Sequence, residues 1–168
     1  MRYKSFQVGQ LFDLVPGQFH ATSELEIGPV PLVSCGWENN GVIGFYDIPA
    51  ESTHLRALSV AFNGAPLTTH FHPYLFGAKD DVAVLIPINA MVDSLLIYVA
   101  ALLNGKTWRY SYGRKCYRDK LRYVPLALPV VEDTDELDAT LPDTFLKEAH
   151  ERVRAAALKS VEALVIAS

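Results

Sequence analysis

Through the first half of the chain, apolar and polar residues alternate in short runs, the period of strands buried on one face. "SFQVGQLFDLVPGQ" (5–18) alternates and then breaks at Pro16-Gly17. "VPLVSC" (Val30 to Cys35) is a short apolar run that fits a buried strand. Asn39-Asn40-Gly41 followed by "VIGFYD" predicts a tight turn into a strand, because Asn and Gly tolerate positive φ. "ALSVAFNG" reads as a strand closing on a turn at Asn63-Gly64, and "DVAVLIP" as a buried strand. Between them, "LTTHFHPYLFG" is extended or irregular, with Pro73 and Gly77 as breakers.

From Met91 to Leu103 the period changes. Leu95, Leu96, Val99, Leu102 and Leu103 recur at helical spacing, and Asn104-Gly105 marks the stop. Extended structure is expected to resume at "TWRYSY", and "RYVPLALPV" predicts a last strand or edge segment confined by its prolines. A second helix is predicted from Pro142 to about Val165, since Pro suits a first helical turn. Its apolar stripe is Phe145, Ala149, Val153, Ala157, Val161 and Leu164. Such a narrow, alanine-rich stripe packs either on its own domain or against a partner helix. The expected architecture is α+β: a small, mixed or antiparallel β-rich domain with a packed helix over 1–131, a linker over 132–141, and a long C-terminal helix over 142–168 able to pair in a coiled coil.

Composition narrows the class. With 168 residues, half hydrophobic and a fifth charged, the chain is long enough for one domain with a real core. The two cysteines, Cys35 and Cys116, form no C-x-x-C and suit a reducing cytoplasm, with a single long-range bridge left open. The opening "MRYKSFQVGQLF" has no apolar signal core. The most hydrophobic run, "SLLIYVAALLNG", is shorter than the roughly 20 residues of a membrane span. A cytoplasmic protein with no membrane partner is expected.

Charge is distributed unevenly. The chain carries −4 overall, yet Lys106, Arg109, Arg114, Lys115, Arg118, Lys120 and Arg122 face only Asp119, a local balance of +6. From Glu132 to Glu151, eight acids face Lys147, a balance of −7. The basic stretch suits a nucleic-acid surface, and it also suits a solvated face paired to the acidic segment.

Catalytic signals are thin. "HFH" puts His70 and His72 on one strand face, and His20, Asp80, Asp81 or Cys116 would have to complete a metal sphere of three or four ligands. A small metal-dependent nuclease built on His70, His72 and Asp81 is one reading, although no acid-x-lysine partner follows. Asp80 and Asp81 otherwise read as turn polarity. Glycine-rich nucleotide motifs and the G-x-S-x-G elbow are missing. Basic neighbours favour a lowered pKa at Cys116, whereas burial would leave it a structural thiol.

The ordered set "FQVGQLFDLVPG", "GPVPLVSCGWENNGVIGFYD", "ALSVAFNGAPLTTHFHPYLFGAKDDVAVLIP", "LLIYVAALLN" and "YSYGRKCYRDKLRYVPLALP" resembles a target recognition domain. Such domains occur in type I restriction–modification specificity subunits and in related type II recognition modules. The likeness covers about residues 4 to 130 and rests on the order of its pieces. It implies binding of one half of a bipartite double-stranded DNA target, with base edges read in the major groove. It also implies partners: a methyltransferase subunit acting on adenine N6, and a restriction subunit that cleaves unmodified DNA. S-adenosylmethionine, ATP and magnesium then belong to those partners, and this chain carries no cofactor and no catalytic residue.

On that reading Arg109, Arg114, Lys115, Arg118 and Lys120 contact phosphates or guanines, and Tyr112 and Tyr117 donate to phosphates or pack on thymine methyls. Lys79 and His72 are candidates from a neighbouring loop. In the family a long helix follows each recognition domain, and two such helices pack as a spacer. This chain departs in carrying one recognition domain and a shorter helix. It is expected either as a half-subunit that dimerises through Phe145, Ala149, Val153, Ala157, Val161 and Leu164, or as a fragment. A pure protein-interaction module using that helix is the remaining reading.

Overall fold

A computed structural model describes residues 2–18, 20–111 and 113–166, with side chains along the last helix described to residue 159. Tyr112 and the side chains of Val161 and Leu164 therefore lie outside the described residues. The strands are β1 (Arg2–Gln7), β2 (Phe12–Pro16), β3 (Ile27–Val33), β4 (Val42–Tyr46), β5 (Thr53–Ala61), β6 (Thr69–Ala78), β7 (Val82–Pro87) and β8 (Pro125–Val130). The helices are α1 (Val8–Leu11), α2 (Asp93–Asn104), α3 (Arg118–Leu121) and α4 (Thr140–Ile166). The fold is α+β, with a six-stranded mixed sheet in the order β2-β7-β5-β6-β3-β4 and a separate antiparallel pair of β1 and β8.

Pro73 shapes the central hairpin of this sheet. It has no amide hydrogen, so it cannot donate to the ladder in the middle of β6. Pairing accordingly jumps from Leu55↔Leu75 to Ala57↔His72, and Arg56 opposite the break takes a left-handed φ of 51°. A bulge of this kind bends the strands. One half of the hairpin stays with β7, through Leu58↔Leu85 to Ala61↔Val82. The other half carries β3 alongside β6, through Leu32↔Gly77 and Val33↔Ala78. Val33, Ala57, Ala61, Phe76, Ala78, Val82 and Val84 pack together from both halves and form a small core inside the bend.

The larger core lies on the opposite face. Leu58, Val60, Ala83 and Leu85 point away from the small cluster, as alternation requires, and meet Leu95, Leu96, Val99 and Leu103 of α2. Leu126 and Leu128 of β8, with Leu121 and Val124, close the same core. The bulged Arg56 also sets the start of α2, because its Nε donates to Asp93 Oδ1 at 2.9 Å and its guanidinium donates to the Met91 carbonyl. At the other end, Asn104 is bonded both ways to the Thr69 backbone at 2.8 Å, so α2 is tied to β6 at its C-terminus.

Two expectations are corrected and one open alternative is decided. The opening stretch is not one alternating strand: Val8 and Leu11 both turn inward at helical spacing, so α1 separates β1 from β2. For "LTTHFHPYLFG" the extended alternative holds: from Thr69 it runs as the ten-residue β6 despite Pro73, because the bulge absorbs the missing donor. "TWRYSY" is not extended, since Thr107 Oγ1 donates to the Asn104 carbonyl at 3.0 Å and winds Thr107–Arg109 into a 3₁₀ turn. The basic stretch is therefore turn, coil and one short helix, with a strand only from Pro125.

Candidate nucleic-acid interface

The bend gathers four connections at one end of the molecule. Ser34 Oγ, after β3, donates to Asp81 Oδ2 at 2.7 Å, just before β7. The Phe62 amide, after β5, donates to the Asp81 carbonyl at 2.8 Å. A Cβ at Gly64 would lie 3.3 Å from the Cys35 carbonyl, so the β5–β6 loop lies against the β3–β4 loop. Lys115 Nζ donates to Asn63 Oδ1 at 2.5 Å, and the Tyr117 ring stands 6.0 Å from Phe62. These contacts join the β3–β4 loop, the β5–β6 loop, the β6–β7 turn and the basic stretch into one surface.

Arg109, Arg114, Arg118, Lys120 and Arg122 of the basic stretch are all exposed, Arg122 at its far end beside Gly9 of α1. The 106–122 stretch is anchored from beneath by Cys116 and Leu121, both fully buried. Arg109 lies over the Trp108 ring at 5.0 Å, and Lys115 over the Tyr117 ring at 5.7 Å, which holds long cationic side chains in place. Ser111 and Arg114 close a tight turn through an Arg114 N–H donating to the Ser111 carbonyl at 2.9 Å. Lys79 is half-buried, with Nζ donating to the His20 carbonyl at 3.0 Å. Burial pushes the Cys116 thiol up, and the hydrogen bond from Tyr110 and the charge of Lys120 offset this only in part. Of the two readings of Cys116, the buried structural thiol is therefore the one that holds, and both cysteines are free thiols.

The acidic linker turns elsewhere. Asp135 pairs with Arg2 and with Lys4 Nζ at 2.7 Å, on β1 rather than on the basic stretch. The Lys4 hydrogen bond is the main reason that the Asp135 carboxyl sits below its usual pKa. Surface pairs like these contribute little stability, but they fix where the chain runs.

His72, expected to reach DNA, is fully buried. Its Nε2 is 2.8 Å from Ser59 Oγ, its Nδ1 is 3.3 Å from Asn40 Nδ2, and its ring packs on Phe76 with centroids 4.4 Å apart. Burial, with a smaller contribution from His70, lowers its pKa from 6.5 to about 3, so the ring is neutral. His70 uses Nε2 to bond the Gly36 carbonyl at 2.9 Å. The two histidines and Asp81 are thus engaged in fastening loops. Among the described residues no group of three or more His, Cys, Asp or Glu is placed to hold a metal ion.

Sequence reasoning reads Asn39–Gly41 as a turn but names no residue of the loop that these histidines fasten, Gly36 to Gly41, as a DNA contact. The loop exposes Trp37, Glu38 and Asn39, and it holds Asn39, Asn40 and Gly41 all at positive φ. Its signal was a tryptophan set among glycine and polar residues, which a buried aromatic rarely is. Asn63, which fastens Lys115, reads in the sequence only as a turn residue.

Helix α4 runs 27 residues, about 40 Å. Its first turns pack against α2, with Pro142 buried and Ala149 half-buried. From His150 to Lys159 every side chain is exposed. Phe145, Val153 and Ala157 of the apolar stripe are among the exposed residues. Among the described residues no helix is long and apolar enough to cross a membrane.

No sequence-family profile matches the chain. A curated relative, the type II restriction enzyme BgcI specificity subunit S.BcgI of Heyndrickxia coagulans, is 23% identical over 137 residues, covering 79% of this chain and 39% of its own length. The chain therefore spans about two fifths of the curated relative it matches. Among solved structures, the HsdS subunit from Thermoanaerobacter tengcongensis superposes with a TM-score of 0.62 at 15% identity, over 91% of this chain and 38% of that one. The type I restriction–modification S subunit from M. genitalium gives 0.61 at 14%, over 94% and 43%. A chain from a study of complex assembly and conformational transition in a type I system gives 0.68 at 16%, over 95% and 42%. The resemblance read from the ordered sequence segments thus extends to the fold.

The buried, neutral His72 makes stability depend on pH. Above pH 6.5 the ring is neutral in both the folded and unfolded chain. As pH falls from 6.5 towards about 3, the unfolded chain takes up a proton that the folded one refuses. Stability is lost over that window, by up to about 1.4 kcal/mol per pH unit from this group. Urea titrations across this range should show a shallower acid loss for His72→Gln than for wild type. Equal slopes would mean that His72 is not the titrating group.

Proposed function

We propose that this chain is the recognition part of a restriction–modification specificity subunit, binding one half of a bipartite double-stranded DNA target. The observation that carries the reading is the fastening of the basic stretch to the β5–β6 loop, Lys115 to Asn63 and Tyr117 to Phe62, with Arg109, Arg114, Arg118 and Lys120 of that stretch exposed. Asp135 is meanwhile held away by Arg2 and Lys4. The likeness to named specificity subunits agrees with it. Exposed cations supply phosphate contacts and affinity, and neighbouring loops of fixed shape supply base contacts. Lys115, fastened to Asn63, orients this edge, and Lys79 supports the β6–β7 turn.

Catalysis belongs, on this reading, to separate subunits: an adenine-N6 methyltransferase using S-adenosylmethionine, and a nuclease using ATP and magnesium. The chain itself contributes binding and register, in the cytoplasm where the DNA lies. Its α4 pairs with α4 of a second copy through Phe145, Ala149, Val153 and Ala157, with Val161 and Leu164 continuing the same sequence stripe. Two copies then present two recognition surfaces to a palindromic bipartite target. The exposure of Phe145 and Val153, 64% and 69%, supports this use over packing on the home domain.

Fluorescence titration with duplex DNA across salt concentrations tests the reading. Arg114→Ala with Arg118→Ala should weaken binding and reduce the slope of log K against log salt by about two. An unchanged slope would remove this stretch from the phosphate contacts. For the helix, sedimentation of Val153→Glu should give monomers where wild type gives dimers. A wild type that stays monomeric at high concentration would remove self-pairing.

A further inference from the structure

Both tryptophans of the chain face solvent: Trp108 beneath Arg109, and Trp37 in the β3–β4 loop. An exposed indole is an unusual use of the largest apolar side chain. The loop around Trp37 is also held with unusual firmness. His70 Nε2 bonds the Gly36 carbonyl at 2.9 Å, and the Ser34 amide donates to the Gly41 carbonyl at 2.9 Å. Asn40 Nδ2 donates to the Phe71 carbonyl at 3.0 Å and lies 3.3 Å from the buried His72. Between these fastenings the backbone runs through three left-handed residues, with φ of 49° at Asn39, 57° at Asn40 and 77° at Gly41. Left-handed residues normally occur singly. Conformations of this kind persist where the surroundings over-determine them, and they cluster where a side chain must be aimed.

The two asparagines have different tasks. Both are exposed, but Asn40 spends its side-chain amide on the Phe71 carbonyl and beside His72, whereas Asn39 lines the hollow next to Trp37. The loop curls round a shallow hollow whose apolar walls are Trp37 and Ile43, 54% and 46% exposed. An outward amide beside an apolar hollow has the chemistry of one base pair. Asn bonds adenine N6 and N7 in the major groove, and an apolar wall takes the thymine methyl. The loop meets the basic stretch through Gly64 and Asn63, so a duplex lying on the cations runs past it. Glu38, its one acid, repels phosphates and favours the groove over the backbone.

We propose that Asn39 is a specificity-determining residue that reads an adenine–thymine pair, with Trp37 and Ile43 against the thymine methyl and His70 and His72 as positioning residues. The proposal rests on the DNA-recognition reading above and adds to it the element that distinguishes bases. Because Asn39 has positive φ, its variants must tolerate that conformation. Asn39→Gly removes the amide without strain, and Asn39→Asp replaces a donor with an acceptor that suits cytosine N4.

The test is selection from a randomised duplex pool by the full chain, with the methyltransferase subunit present, for wild type, Asn39→Gly and Asn39→Asp. Wild type should enrich a motif containing an adenine–thymine position. Asn39→Gly should lose about ten-fold preference at that position, and Asn39→Asp should move it towards cytosine, with the salt slope unchanged in both. Thermal melts matching wild type would show that the loop still folds. Identical motifs from all three proteins would overturn the assignment of Asn39 while leaving DNA recognition intact. A wild type that enriches no motif would overturn both.

Discussion

A single missing hydrogen-bond donor organises this molecule. Pro73 cannot complete its rung in the β5–β6 ladder, so the pairing slips and Arg56 is forced into a left-handed conformation. The bend that follows gives β6 two partners in two directions. Its first half lines the sheet beneath α2, and its second half carries β3 and β4 back across the other face. The connections after β3, β5 and β6, at distant points in the sequence, consequently share one end of the fold. Arg56 answers the break as well, because its guanidinium holds Met91 and Asp93 and so places the start of α2.

Charge is sorted by the same architecture. The basic stretch leaves α2 and returns through α3 to β8, which pairs with β1 at the N-terminus. Val8 and Gly9 amides donate to the Val124 and Arg122 carbonyls at 3.1 and 2.9 Å, so the opening residues fasten the end of the basic stretch. On the far side of β1, Arg2 and Lys4 draw Asp135 in and lead the acidic linker to α4. Asp135, in the segment that carries −7 over 132–151, is thereby drawn to β1 rather than onto the +6 stretch over 106–122. A DNA-facing surface requires that separation, since an acid laid across the cations would repel phosphates.

Much of this was legible in the sequence. The buried strand 82–87 and the helix 93–104 follow from period and stop signals, and the long helix is legible from Pro142, two residues inside its start at Thr140. The Asn39–Asn40–Gly41 turn follows from the residues that accept positive φ. The bend was not legible, because Pro73 reads only as a breaker until its partner strand is known. His72 was misassigned for a related reason. H-x-H on a strand fixes which face the two rings share, but not whether that face looks outward or into the fold, and here Asn40 of the β3–β4 loop and Phe76 lie over His72. The basic stretch was legible as charge and illegible as shape, since it is held by long-range fastenings to Asn63 and Phe62.

The central claim is that the joined loops and the basic stretch, rather than the projecting helix, form the surface that meets DNA. Hydrogen–deuterium exchange of the full chain, with and without bound duplex, tests it most directly. The account predicts that DNA slows exchange over 36–41, 62–64 and 109–118, while 150–166 exchanges at the same rate. Protection confined to 140–166, with the loops unchanged, would contradict it.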